Sequence, residues 1–195
     1  MSVTSFQNLN KGELTQLLDI AREAIRGHFS NDLPQPPQLD LYGKKLLRPG
    51  ASFVTLEVNG QLQGCLGSTS ANAPLVLDVH NKARASAYQD RRFMPLTEDQ
   101  LDHLTIEVSV LSEPEPLLVG SEQELIDYLT ENKVGVILSD HHNQALFLPQ
   151  VWEQLKAPKD FIRHLKLKAG WNAVYWSESM EVKTFTVTSI KGKYF

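Results

Sequence analysis

Asn59-Gly60 is the dipeptide that most restricts this chain, because it lies between Phe53-Val-Thr-Leu-Glu-Val58 and Gln61-Leu-Gln-Gly-Cys-Leu66. A two-residue Asn-Gly loop takes a type I′ turn whose twist matches that of antiparallel strands, so the flanking segments read as a β-hairpin. Cys65, the only cysteine, falls on or at the end of the returning strand between Gly64 and Gly67. Glycines beside it remove side-chain cover from the sulfur and let another backbone or a ligand come close. Two readings stay open: a nucleophilic thiol, or a small residue filling a gap under the sheet, since free cysteine is among the most buried residue types.

The rest of the chain supplies helices to cover such a hairpin. Leu14, Leu17, Leu18, Ala21 and Ile25 recur on one helical face from about Lys11 to His28, and Asn10 with Glu13 offers a capping-box start. Asp32-Leu-Pro-Gln-Pro-Pro37 cannot continue that helix and predicts a connecting loop. A second helix is expected from Ala73 to Asp90, with a stripe of mostly small residues, Val76, Val79, Ala83 and Ala87, that implies close packing on the sheet. Leu104-Thr-Ile-Glu-Val-Ser-Val110 alternates strictly and reads as a strand with Thr105, Glu107 and Ser109 on its polar face. Ser121-Glu-Gln-Glu124 caps a further helix, and Val134 to Leu138 with Ala145 to Leu148 gives a second hairpin around a polar turn. Two short helices begin at Pro149 and about Pro158, and Val182 to Ile190 reads as one last strand, an edge one by its lysines. Hairpins separated by helices predict an α+β fold with a mostly antiparallel sheet and packed helices.

Bulk properties exclude little but direct attention. A formal net charge of -4 and a single cysteine give no electrostatic pull towards nucleic acid or anionic membrane and no internal disulfide. The segment Met1 to Phe6 lacks the basic-then-apolar pattern of a secretory signal and no apolar run reaches membrane-spanning length, so a cytoplasmic protein is expected. His80, His103, His141 and His142 match no compact metal motif, no phosphate-binding glycine loop or serine-hydrolase elbow occurs, and neither metal nor cofactor is expected. Activation of Cys65 would need a cation, a histidine or a helix start. The helix near Pro74, His80 on its second turn, and Arg91 or Arg92 beyond its far end are the candidates. Arg92, before Phe93-Met94-Pro95, suits bidentate capture of a carboxylate or phosphate, or equally capping of helix carbonyls or pairing with Glu107.

Four blocks resemble the AMMECR family, also called protein A of the AmmeMemoRadiSam system. Gln63-Gly-Cys-Leu-Gly67 is similar to its Arg-Gly-Cys-Ile-Gly core, and Asp90-Arg-Arg-Phe-Met-Pro-Leu96 to its Asp-Pro-Arg-Phe-Pro-Pro-Leu block, with Arg92 at the motif arginine. Leu104 to Ser112 resembles its central strand, and Leu146-Phe-Leu-Pro-Gln-Val151 with Leu167-Lys-Ala-Gly170 its carboxyl-terminal blocks. The resemblance implies a single α+β domain over residues 1–195, built of two intimately joined lobes, the second spanning roughly residues 113–150. It also implies an association with a Memo-like protein and a radical SAM enzyme, without an established reaction. Gln63 replaces the usual arginine, Lys166 a second cysteine, and Asp140-His-His-Asn-Gln144 a glycine-rich turn. Two functions are carried forward. One is an enzyme or enzyme subunit acting on a small molecule, with Cys65 as nucleophile or redox group, Arg92 as anion clamp and His80 or Glu107 moving a proton. The other is a non-catalytic binding or adaptor protein using the groove beside the Cys65 strand.

Overall fold

A computed structural model describes residues 9–29 and 35–195. The stretch Met1 to Phe6, and Asp32 to Pro34 of the proline-rich loop, lie outside them. In chain order the elements are helix α1 (Lys11–Arg26), strands β1 (Ser52–Val58) and β2 (Gln61–Gly67), helix α2 (Leu75–Tyr88), strands β3 (Leu104–Leu111) and β4 (Glu115–Pro116), helix α3 (Glu122–Glu131), strands β5 (Gly135–Ser139) and β6 (Gln144–Phe147), helix α4 (Pro158–Lys168), and strands β7 (Glu181–Phe185) and β8 (Val187–Lys193). Two four-stranded antiparallel sheets result, ordered β2-β1-β3-β8 and β4-β7-β5-β6. The α+β class expected from the pattern of elements is the class observed.

The first unit joins Met1–Leu111 to Thr188–Phe195. Helix α1 starts where Asn10 Oδ1 accepts the Glu13 N–H at 2.9 Å and Glu13 Oε2 accepts the Asn10 N–H at 2.7 Å, a reciprocal capping box. It ends two residues earlier than the periodicity suggests. The His28 and Phe29 N–H groups bond back only three residues, to the Ile25 and Arg26 carbonyls, so the last turn tightens out of α geometry. Leu17, Leu18, Ala21 and Ile25 of α1 pack with Val76, Val79 and Ala83 of α2 and with Val54, Leu56, Ile106 and Val108 of the sheet, all buried. Burying each of the Val, Leu and Ile side chains stabilises by about 1.5–3 kcal/mol, so this layer holds the unit together. Asp78, on the first turns of α2, accepts from the Ser52 N–H at 2.8 Å, the Ser52 hydroxyl at 2.7 Å and the Ser68 hydroxyl at 2.9 Å. That ties the helix start to both ends of the hairpin.

The second unit runs from Ser112 to Val187. It extends that far because β7 lies between β4 and β5 in its sheet. Leu125 and Leu129 of α3, Phe161, Ile162 and Leu165 of α4, and Val136, Leu138 and Val182 of the sheet form its core. Trp152 stacks on Phe161 with centroids 3.8 Å apart and donates its indole N–H to the Val134 carbonyl at 2.9 Å.

Two expectations are corrected here. The segment Val182 to Ile190 is two strands in two sheets, interior β7 and edge β8, parted at Thr186. The Thr186 N–H donates to Ser112 Oγ at 3.0 Å and its carbonyl accepts the Ser112 N–H at 2.9 Å, while the sequence alternation Thr184-Phe-Thr-Val-Thr188 runs on through the break. The turn at Pro149–Glu153 is a 3₁₀ helix, so only the second of the two short helices is α.

Candidate functional site

Counted from the Asn59-Gly60 turn, an even hairpin would set Gly64 opposite Thr55 and Cys65 opposite Val54. The observed register differs. Val58 pairs with Gln61 and Glu57 with Leu62, but Leu56 pairs with Gly64 and Thr55 with Cys65, leaving Gln63 as the extra residue of a β-bulge. Val54 and Leu56 point at the helices and are fully buried. Because side chains alternate, the bulge carries Cys65 from the core face of the sheet to the opposite, outer face. Gly64 takes the core-facing place, where a Cβ would lie 2.0 Å from the Ser86 carbonyl oxygen of α2. The Ser86 hydroxyl completes this close seam by accepting from the Leu66 N–H at 2.9 Å and donating to the Val54 carbonyl at 2.7 Å.

On the outer face Thr55 stands between Cys65 of β2 and Glu107 of β3 in one cross-strand row. All three are half-buried. Thr55 Oγ1 lies 3.3 Å from the Cys65 sulfur, within hydrogen-bond range for either donor. In the next row Phe53 stands between Gly67 and Ser109, and its ring fills the space that a Gly67 side chain would take. Strands lie about 4.8 Å apart, so Cys65 and Glu107 are separated by roughly 10 Å and meet only through Thr55 or a bound molecule.

Arg92 does reach the Cys65 strand, through the main chain. Its Nη2 donates to the Cys65 carbonyl at 2.9 Å and to Asp90 Oδ2 at 2.7 Å, and its Nε donates to Asp90 Oδ1 at 2.9 Å. Asp90 Oδ2 also accepts the Cys65 N–H at 3.0 Å. The Arg92 guanidinium holds the Asp90 carboxyl well below the usual carboxylate range, and Asp90 in turn raises the Arg92 pKa. Gln63, at the bulge, donates its amide to the Met94 carbonyl at 2.7 Å, which pins the same segment to β2.

His80 lies elsewhere. It is 4% exposed on α2, on the helix side of the sheet, with Nδ1 3.3 Å from Asn81 Oδ1. Burial holds its pKa below the ordinary histidine value, against the opposing pull of the Asn81 side chain. The structure thus sets Cys65 and Glu107 in one row on either side of Thr55, brings Arg92 to the Cys65 main chain, and leaves His80 apart. Asp90, Thr55 and Ser86 escaped the sequence reading. Asp90 was visible in the Asp-Arg-Arg block, whereas Thr55 required the register that the bulge conceals.

Among the described residues no group of three or more His, Cys, Asp or Glu side chains is placed to hold a metal ion, and no helix is long and apolar enough to cross a membrane. Lys166 is fully buried and donates to Glu122 Oε2 at 2.8 Å. At the β5–β6 turn Asp140 Oδ1 accepts the His142 and Asn143 N–H groups at 2.8 and 2.7 Å, and Oδ2 accepts the Trp171 indole N–H and Tyr175 hydroxyl, both at 3.0 Å. These bonds, the Asn143 N–H first among them, pull the Asp140 pKa down to about 2.

The AMMECR1 family profile matches residues 18–190, which include the Cys65 bulge, the Asp90 to Leu96 block and the β3 row. The chain belongs to the AMMECR1 family. Within the AMMECR1 family it is similar to a protein of Methanosarcina barkeri, 32% identical over 181 residues that cover 89% of this chain and 87% of that one. A protein of Thermotoga maritima is 36% identical over 146 residues, covering 74% and 79% of the two chains. The crystal structure of an uncharacterised protein of Pyrococcus horikoshii shares the fold, with a TM-score of 0.83 at 26% identity over 95% of this chain and 94% of that one. AMMECR1 membership agrees with the resemblance of the four sequence blocks and with the α+β fold; it brings no reaction.

Proposed function

We propose that the outer face of the first sheet is a thiol-centred site acting on a small molecule, with Cys65 as the nucleophilic or redox-active group and Glu107 moving a proton. The observation that carries this reading is the bulge at Gln63, which sets the only thiol in a row with a hydroxyl and a carboxylate instead of among core side chains. A hydroxyl 3.3 Å from the sulfur can steady either the thiol or the thiolate. Arg92 is not an anion clamp in this reading, because Asp90 and the Cys65 carbonyl engage its Nε and Nη2. His80 has no part in it.

A second reading rests on a different observation. Met94, 81% exposed, and Leu62, 46% exposed, are joined through neighbouring Gln63 and offer apolar surface beside β2. An adaptor would use that surface to hold a partner protein, and the AMMECR resemblance supports a Memo-like protein and a radical SAM enzyme in a cytoplasmic setting as the partners. Alkylation of the native protein followed by intact mass separates the two, because a single cysteine makes each adduct assignable. Reaction near neutral pH, abolished in Cys65→Ser, supports the thiol site. Reaction only after unfolding overturns it and leaves the adaptor.

A further inference from the structure

Strand β2 is an edge of its sheet, so the peptide groups of Cys65 that point away from β1 have no strand to pair with. Both are nonetheless satisfied. The N–H donates to the Asp90 carboxylate, and the carbonyl accepts from the Arg92 guanidinium that the same carboxylate holds in a two-point fork. An acid and a base two residues apart thus occupy the place of a neighbouring strand at one residue.

We propose that Asp90 and Arg92 form a main-chain clamp that positions Cys65, with Asp90 as the anchoring residue; the inference rests on Cys65 being the reacting thiol. Asp90 suits an anchor because its side chain is 4% exposed while that of Arg92 is 58% exposed. Its Oδ1 accepts a further bond from the Arg92 N–H at 3.2 Å, so both carboxylate oxygens are engaged twice. Charge-assisted bonds of this kind are shorter and roughly twice as strong as neutral ones, which fixes the strand at the sulfur more firmly than an ordinary edge. The clamp also sets the charge around the thiol. Among the described residues the charged groups on this side are Asp90 and Arg92 from the segment after α2, Glu107 from β3 beyond the neutral Thr55 of β1, and, one row along β1, Glu57, which accepts from Lys191 of β8 at 2.8 Å. With Gln63 where the family pattern carries arginine, Arg92 is the cation that the clamp holds next to Cys65.

The experiment measures two quantities in the full-length chain: hydrogen exchange of the Cys65 amide, and the pH midpoint of Cys65 alkylation. Asp90→Ala should speed exchange of that amide about tenfold while amides of β3 keep their protection, as expected for loss of a strong local bond. Arg92→Ala leaves the carboxylate beside Cys65 without its cation, so thiolate formation becomes harder and the alkylation midpoint rises, slowing reaction below it by about threefold to tenfold. Arg92→Lys keeps the charge without the fork and should recover part of that loss. Unchanged amide exchange in Asp90→Ala, or an unmoved midpoint in Arg92→Ala, overturns the clamp. A native thiol that does not react in the parent protein defeats the proposed function instead, and amide exchange then still decides whether the clamp exists.

Discussion

Gly64→Ala tests the seam on which the Cys65 register depends. The added methyl carbon would sit 2.0 Å from the Ser86 carbonyl oxygen, and that oxygen belongs to the backbone of α2, so no side-chain rotation relieves the clash. Carbon and oxygen approach no closer than about 3.3 Å in ordinary contacts, so strand and helix must part by more than about 1 Å. Overpacking of this sort costs about 1–3 kcal/mol. Separation also stretches the two Ser86 hydroxyl bonds, to the Leu66 N–H and the Val54 carbonyl, worth about 1 kcal/mol each. The expected loss is therefore about 3–5 kcal/mol, which for a chain of this size lowers the melting temperature by roughly 6–20 °C. Far-UV circular dichroism is the appropriate probe, because Trp152, Trp171 and Trp176 all lie in the second unit and their fluorescence follows that unit. Gly60→Ala serves as control: its φ is +77° with open space around it, so only backbone strain of about 1 kcal/mol is expected. A Gly64→Ala protein within about 0.5 kcal/mol of the parent would refute the reasoning, since such a change is what unremarkable surface sites give.

Three further outcomes follow from the second unit and the first helix. Asp140→Asn should lower the urea midpoint of the fluorescence transition at pH 7 and leave it nearly unchanged near pH 2. A carboxyl held at about 2 contributes its stabilisation fully above the unfolded value near 4 and loses it as the pH falls through 2. Lys166→Met should be neutral or stabilising, whereas Glu122→Ala should cost about 2 kcal/mol by leaving the buried ammonium unpaired, both read from urea unfolding. Asn10→Ala should cost about 1 kcal/mol by opening the α1 cap, measured by thermal unfolding with circular dichroism.

Much of this architecture was legible in the residues. The Asn59-Gly60 turn placed the first hairpin, the Asn10 and Glu13 pair placed the start of α1, and the alternation of Leu104 to Val110 placed β3, because each rests on local chemistry. What lay hidden was non-local. Nothing in Val182 to Ile190 announces that the chain leaves one sheet for another, since its alternation persists through Thr186. The partnership of Arg92 with Asp90 and the Cys65 peptide was equally out of reach, because a guanidinium before a Phe-Met-Pro turn reads the same whether it awaits a ligand or holds a strand. His80 looked available as a neighbour of Cys65 only because sequence distance does not say which side of a sheet a helix covers.

The bulge at Gln63 makes the chemistry of this face a matter of parity. Between the turn and the sulfur, β2 carries one residue more than its partner strand can match. Removing Gln63 would give an even ladder with Cys65 still opposite Thr55, whereas an even ladder through all of these residues would turn Cys65 inward against the carbonyl of Ser86 and present Gly64 to the outside. The composition of the hairpin would scarcely change, yet the exposed row would hold a hydroxyl and a carboxylate with no sulfur. The face on which the sulfur lies is therefore settled by the number of residues between turn and thiol taken together with the bulge, and relatives can be compared by both before any side chain is considered.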